Sequence, residues 1–346
     1  MVRNIVAIKK IDQIKPIPNA DAIEVAVLGG WNAVVKKGEF NTGDSVLYFE
    51  IDTFLPGDHP AFESFLSRGA KKVINPDTNE EVEGHVLKTA RLRGQISQGL
   101  VLPLEAFKLS PEATQEAVTA LMKQLGVFKY EPPIPAGTSG EIIGAFPSEF
   151  IQKTDSERVQ NLSDEFLASL DPSEWRATEK IDGTSATFIK EDGKIRIAGR
   201  NWELEPNDPN LAHANIARQY SLAQIMPEGA VIQGEIFGPS IQGNPLKVNQ
   251  VQLRIFTATK PEDAPYYGSL AFDEFVAKHS VPPLDLPFPK TIEEAVEQVN
   301  GLKSTVNPKV HSEGVVWWNT KGTLYSELGH RANFKAINNK YLMKHG

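Results

Sequence analysis

The sequence predicts an α+β protein: a small N-terminal β-barrel, then a domain of mainly antiparallel sheets with flanking helices. Three observations lead there. Short apolar runs punctuated by Gly, Pro and Asn/Asp turns recur through the first hundred or so residues. A stretch rich in proline and glycine, Pro132 to Gly140, interrupts that rhythm. Beyond it, strand-like and helix-like segments alternate without internal repeats. The length of 346 residues suits two domains, each long enough to bury a core. We expect them over 1–135 and 136–346, with the boundary in the proline-rich run.

Taken in order, Ile5 to Ile11, Ile23 to Val27, Trp31 to Val35 and Ser45 to Ile51 are strand-like. Turns are expected at Pro16 to Asp21, Gly29-Gly30 and Gly38 to Asp44. Residues 53–83 are expected to be an irregular insertion. Arg91 to Val101, basic and rich in amides, leads into a strand and could follow an RNA backbone or form a solvated hairpin. A helix is expected from Ser110 as cap through Pro111 and Glu112 to Leu125, with Gly126 ending it. Farther on, Gln152 to Leu162, Asp164 to Leu170 and Ile292 to Val299 are helix-like. Trp175 to Thr178, Ser185 to Glu191 and Lys194 to Gly199 are strand-like, the last two joined by an Asp192-Gly193 hairpin.

Composition narrows the function. There is no cysteine, which removes disulfides, cysteine zinc sites and thiol nucleophiles, and fits a cytoplasmic setting. Met1-Val2-Arg3-Asn4 leads into an amphipathic stretch rather than the apolar core of a signal peptide. No apolar run is long enough to span a membrane, so no membrane partner is expected. The formal net charge of −8 argues against a protein that coats nucleic acid non-specifically. It leaves room for an enzyme that focuses positive charge in one groove.

The chemistry begins at Thr178-Glu179-Lys180-Ile181-Asp182-Gly183-Thr184-Ser185. A lysine stands beside a carboxylate on a glycine turn between two strands. Such an amine can attack phosphorus once it is deprotonated. Lys-x-Asp-Gly resembles motif I of the covalent nucleotidyltransferases, the polynucleotide ligases and mRNA capping enzymes. Further motif-like runs follow in that superfamily's order. They are Gln233-Gly234-Glu235-Ile236-Phe237-Gly238, Leu253-Arg254-Ile255-Phe256-Thr257, Ser312-Glu313-Gly314-Val315-Val316-Trp317 and Phe334-Lys335-Ala336-Ile337-Asn338.

The resemblance implies roles. Lys180 would attack the α-phosphorus of ATP and carry AMP as a phosphoramidate. Asp182, Glu235 and Glu313 would hold Mg²⁺ or Mn²⁺, mainly through water ligands. Arg200, in Ala198-Gly199-Arg200-Asn201, would read ribose or an RNA 5′-phosphate. Phe256 would stack on adenine, with Phe237 as the competing choice and core packing as the plain alternative. Glu179 would help read the adenine edge through side chain or backbone, with Gly183 beside it in the nucleotide site. Lys335 would contact the α-phosphate. The usual second lysine is absent, since Ile337 stands there, and Lys340 is the next candidate.

Within the superfamily, Gly234 to Gly243 and Lys153 to Asn161 resemble RNA ligase signatures. Pro18-Asn19-Ala20-Asp21, followed by Ile23-Glu24-Val25, resembles the turn of OB-type tRNA-binding modules, with an ordinary Pro/Asn/Asp turn as the plain alternative. An OB-like domain ahead of the catalytic domain resembles the Deinococcus-type RNA ligases. The resemblance implies an ATP-dependent RNA ligase that joins 3′-OH and 5′-phosphate RNA ends, especially duplex nicks, in RNA repair, as a monomer. The N-terminal domain would bind RNA. A DNA ligase or capping-type enzyme would share the lysine chemistry. A noncatalytic RNA-binding protein with an inert ligase fold is the non-enzyme alternative.

Overall fold

The computed structural model describes residues 4–67, 69–132, 140–261 and 266–345. The expected linker and domain boundary fall almost wholly outside them.

The N-terminal part is built on the strand Ser45–Phe49, which pairs with Val6–Lys10 on one side and Leu100–Pro103 on the other. Its side chains alternate between two cores, as the period of two requires. Val46 and Tyr48 pack with Leu28, Trp31 and Ala33 from the neighbouring meander of Gln13–Pro16, Ile23–Leu28 and Trp31–Lys36. Leu47 and Phe49 pack the opposite way, on Leu104, Phe107, Val118 and Met122.

Three sequence expectations change here. The helix runs from Gln115 to Gln124, with Thr114 as its cap, because Ser110 and Pro111 close a turn of their own (Ala113 N–H to Ser110 C=O, 3.1 Å). Residues 53–83 are not an irregular insertion. Thr53–Pro56, fully buried, pairs with Glu81–Val86, which pairs in turn with Lys71–Ile74. Lys71, Lys72, Glu81 and Glu83, all exposed, hide the pattern of that outer hairpin. Gln152 to Leu162 is not a helix. Glu157–Arg158 forms a parallel pair with Phe334–Lys335, and one 3₁₀ turn, Val159–Asn161, follows. A pairing partner more than 170 positions away gives no local sequence signal.

The C-terminal part holds two sheets. One has six strands in the order Ile142–Ala145, Trp202–Leu204, Lys194–Ala198, Thr184–Glu191, Val231–Phe237, Gln252–Thr259. Helices Ala212–Gln219, Leu222–Ile225 and Tyr266–His279, none anticipated from sequence, cover its apolar face. The other sheet has four strands in the order Glu157–Arg158, Asn333–Ile337, Gly314–Asn319, Trp175–Lys180. Helix Ile292–Val299 packs on its apolar face through Ala295 and Val299. The chain crosses from the second sheet to the first at Ile181-Asp182-Gly183. The glycine is obligatory there, because a Cβ would lie 2.2 Å from the Ile236 carbonyl oxygen.

The barrel is seated against the C-terminal part by specific contacts. Trp31 is fully buried and donates its indole N–H to Asn161 Oδ1 at 2.8 Å. Arg158 lies over the Trp31 ring and reaches Asp52 at 3.4 Å. Among the described residues no helix is long and apolar enough to cross a membrane.

Candidate active site

Strand alternation decides which side chains meet. In the four-stranded sheet, Thr178, Lys180, Val316, Trp318 and Lys335 share one face by register: Thr178 pairs with Val316, and Val316 with Lys335. Ala177, Val315, Trp317, Phe334 and Ala336 take the opposite face and form its core. In the six-stranded sheet, Ser185 pairs with Glu235 and Thr187 with Gln233, while Ala186, Phe188 and Ile232 turn into the core. The two polar faces enclose a cavity of about 380 Å³.

Glu179, Lys180, Asp182, Gly183, Arg200, Glu235, Phe256 and Lys335 all line this cavity. Glu313 joins them through an ion pair, with Lys180 Nζ 2.6 Å from its Oε2. Gly314 follows Glu313, and here too a Cβ would collide, 2.3 Å from the Ala336 carbonyl oxygen. Lys340 is not among the lining residues; it sits on helix Asn339–His345.

The acids crowd one another. Burial, reinforced by the neighbouring Glu313 and Asp182 charges, pushes Glu235 up to about 8 despite Lys180 nearby. Burial and Glu313 raise Asp182 to about 6, against the hydrogen bond donated by the Tyr341 hydroxyl to its Oδ2. For Lys180, burial alone would lower the amine. Glu313, Glu235 and Asp182 outweigh it and hold the ammonium above the ordinary lysine range. Two carboxyls raised in this way, crowded beside the Glu313 side chain, are a set that a hard divalent cation would stabilise. No three such groups lie close enough to ligate an ion directly, among the described residues.

Two expectations are revised. The Glu179 side chain points away from Lys180, as alternation demands, and its Oε2 accepts from Thr305 N at 2.6 Å and from the Thr305 hydroxyl. Of Glu179, only the backbone is presented to the Lys180 face. Phe237 is buried in a core with Ile181, Leu246 and Val281, so it is no rival to Phe256. Phe256 faces the cavity and stacks on Trp318, ring centroids 5.8 Å apart and planes 18° from parallel. The Trp318 indole is held by an N–H bond to Thr178 Oγ1 at 3.1 Å.

Three contributors went unnoticed in the sequence. Trp318 was recoverable by counting two residues on from Val316 in a strand. Tyr341 had no signal, because only the fold brings its helix to Asp182. Asp155 lies in the Lys153 to Asn161 run but was given no role. It receives Arg200 at 3.1 Å, and Arg200 is also 3.6 Å from Glu131. Burial alone would raise Asp155, yet Arg200 and Lys335 hold its carboxyl below the usual range. The cavity thus has an acidic end around Lys180 and a cationic end around Arg200, Lys153 and Lys335.

Comparison with known proteins agrees with this geometry. Residues 5–104 match an OB-fold domain family and residues 173–337 match the RNA ligase family. Solved structures of Naegleria gruberi RNA ligase are similar over nearly the whole chain. A lysine-to-alanine mutant with ATP and Mn is 35% identical, with 98% of each chain covered and a TM-score of 0.81. An aspartate-to-alanine mutant in the apo form is 36% identical, covering 99% of this chain and 98% of that one, with a TM-score of 0.80. The enzyme with PPi is 34% identical, with 99% of each chain covered and a TM-score of 0.79. Comparison with curated protein sequences gives no match. The chain belongs to the RNA ligase family, with an OB-fold domain ahead of its ligase domain.

Proposed function

We propose that this ATP-dependent RNA ligase joins RNA 3′-OH and 5′-phosphate ends, duplex nicks above all, through a lysyl-AMP at Lys180. The single observation behind this is the placement of Lys180. Its amine stands among Glu313, Glu235 and Asp182 at the acidic end of a cavity whose other end is cationic. Supporting it, the N. gruberi ligase structures include alanine mutants of a lysine, an aspartate, two glutamates and a second lysine, in that chain order. Lys180, Asp182, Glu235, Glu313 and Lys335 have the same types in the same order.

In this reading the Lys180 amine attacks the α-phosphorus of ATP, the bond to the β-phosphate oxygen breaks, and pyrophosphate leaves. The RNA 5′-phosphate then attacks the lysine-bound phosphorus, the N–P bond breaks, and the RNA end carries a 5′–5′ linked AMP. Finally the 3′-OH attacks that 5′-phosphorus and AMP leaves with the bridging oxygen. Lys335 and Arg200 hold phosphate oxygens, and Phe256 offers its face to adenine. Mg²⁺ or Mn²⁺, held by Asp182, Glu235 and Glu313 through water, would offset the carboxylate charge and polarise the phosphate. Without that charge the carboxylates keep Lys180 protonated; with it, the free amine is favoured.

The division at 1–135 and 136–346, an RNA-binding role for the barrel, a monomeric state and a cytoplasmic setting belong to the same proposal. The absence of cysteine supports the setting. The test is a sealing assay on nicked duplex RNA, nicked duplex DNA and single-stranded RNA, each with a 3′-OH and a 5′-phosphate. Faster sealing of the RNA nick than of either other substrate is expected. Equal sealing of the all-DNA nick would contradict the substrate assignment.

A further inference from the structure

The cationic end of the cavity holds a side chain that the scheme above does not use. Trp202 is 45% exposed, while the other four tryptophans are buried or half-buried. It lines the same cavity, two residues after Arg200 and next to Asn201. Its backbone is fixed at a sheet corner: the Trp202 carbonyl accepts the Gly199 N–H at 3.0 Å, and the residue pairs with Ala145. No other aromatic ring stacks on the indole, among the described residues. A large apolar ring on a rigid support, left in water, is the kind of surface that a partner covers.

The surroundings say which partner. Lys153 Nζ sits 3.0 Å from Asn201 Oδ1, bonded to an amide rather than a carboxylate. Arg200 presents a guanidinium that its exposed acids, Asp155 and Glu131, leave reachable from solvent. Ile142, 56% exposed, adds apolar surface from the strand paired with that of Trp202. Cations beside an exposed indole suit a nucleotide, whose base stands one sugar away from its phosphate. In the reading above adenine already has a place on Phe256, whose strand is separated from that of Trp202 by three others in the six-stranded sheet. We infer that Trp202 is a stacking platform for the nucleobase of the RNA strand whose 5′-phosphate lies at Arg200 and Lys153. Trp202 is then a positioning residue for the sealing steps. The inference rests on the RNA-joining reading above.

Full-length wild type, Trp202→Ala and Trp202→Phe are compared in two reactions. One is self-adenylylation from α-labelled ATP without RNA. The other is sealing of a nicked RNA duplex over a range of nick concentrations, with either a normal or an abasic nucleotide at the 5′-phosphate. Because the indole is exposed, both variants should fold. For Trp202→Ala, the KM for the nick should rise ~5- to 150-fold, the span expected for loss of one base stack. At sub-saturating nick, sealing should fall at least ~5-fold further than adenylylation does. Trp202→Phe should restore most of the loss. The abasic nick should cost wild type about as much as the mutation does, and cost Trp202→Ala nothing more. Equal loss of adenylylation and sealing would overturn the inference by placing the indole in the ATP pocket. So would losses from mutation and abasic nick that multiply, or sealing that is unchanged. A wild type that takes label from ATP yet seals no RNA nick would instead overturn the reading on which the inference rests.

Discussion

The two ends of the cavity are built on opposite principles. At the Lys180 end, charged groups are crowded and half-hidden between two sheets, and burial with like charge pushes two carboxyls well above their ordinary range. At the Arg200 end, the charges are more exposed, each cation has a polar neighbour, and Asp155 is held below its ordinary range. The first arrangement stores electrostatic tension that a substrate and a cation can relieve. The second exchanges one partner for another at little cost. In the proposed scheme the first end carries the chemistry and the second docks the substrate.

Breaking the chemical end should have the largest effect. Lys180→Ala should lower self-adenylylation by ~10³-fold or more, since it removes the proposed nucleophile. Glu235→Gln keeps the shape but removes one carboxylate charge. It should cost ~10- to 100-fold in sealing, the range for a group that acts through a metal's water ligands. It should also raise the Mn²⁺ concentration needed for half-maximal adenylylation. Arg200→Lys at the docking end keeps charge but loses the fork. It should cost about tenfold in sealing, while adenylylation is affected less.

Smaller effects test the frame that carries both ends. Gly30→Ala would place a Cβ 2.7 Å from Gln160 Cα and 2.7 Å from Ile292 Cγ2, at the seam between barrel and catalytic part. Thermal denaturation should show a loss of roughly 1–3 kcal/mol, typical of forced overpacking. The mildest effect concerns His213, buried with its Nε2 against the Ser185 carbonyl at 2.9 Å. Burial lowers its pKa. The neutral ring therefore contributes stability that is present above the unfolded value of about 6.5 and is lost as pH falls through the folded one. His213→Gln should flatten the decline in melting temperature below about pH 6.5.

The same contrast explains what the sequence could reveal. Residues at the chemical end sit in short motifs on strands or beside their ends, and at Lys180-Ile181-Asp182-Gly183 a lysine, an acid and an obligatory glycine follow closely. Lys180, Asp182, Gly183, Glu235 and Glu313 were legible for that reason, as were Lys335 at the cationic end and the barrel strands with their alternating apolar residues. The rest depends on distance in the chain. Glu157–Arg158 looks helical until Phe334–Lys335 pairs with it. Tyr341 reaches Asp182 across 159 positions, and Glu179 is drawn off to Thr305 across 126. The helices over the six-stranded sheet were missed because their packing is tertiary: His213 and Phe272 are buried against strands far off in the sequence.

The central claim is that Lys180 becomes the covalent carrier of AMP. The most direct measurement incubates wild type and Lys180→Ala with α-labelled ATP and Mn²⁺ or Mg²⁺. Denaturing gels and peptide mass spectrometry follow, after any preformed AMP has been stripped with pyrophosphate. The account predicts acid-labile label on wild type alone, with the added AMP mass on the peptide that contains Lys180. Label retained by folded Lys180→Ala, or AMP mapped to another residue, would contradict it.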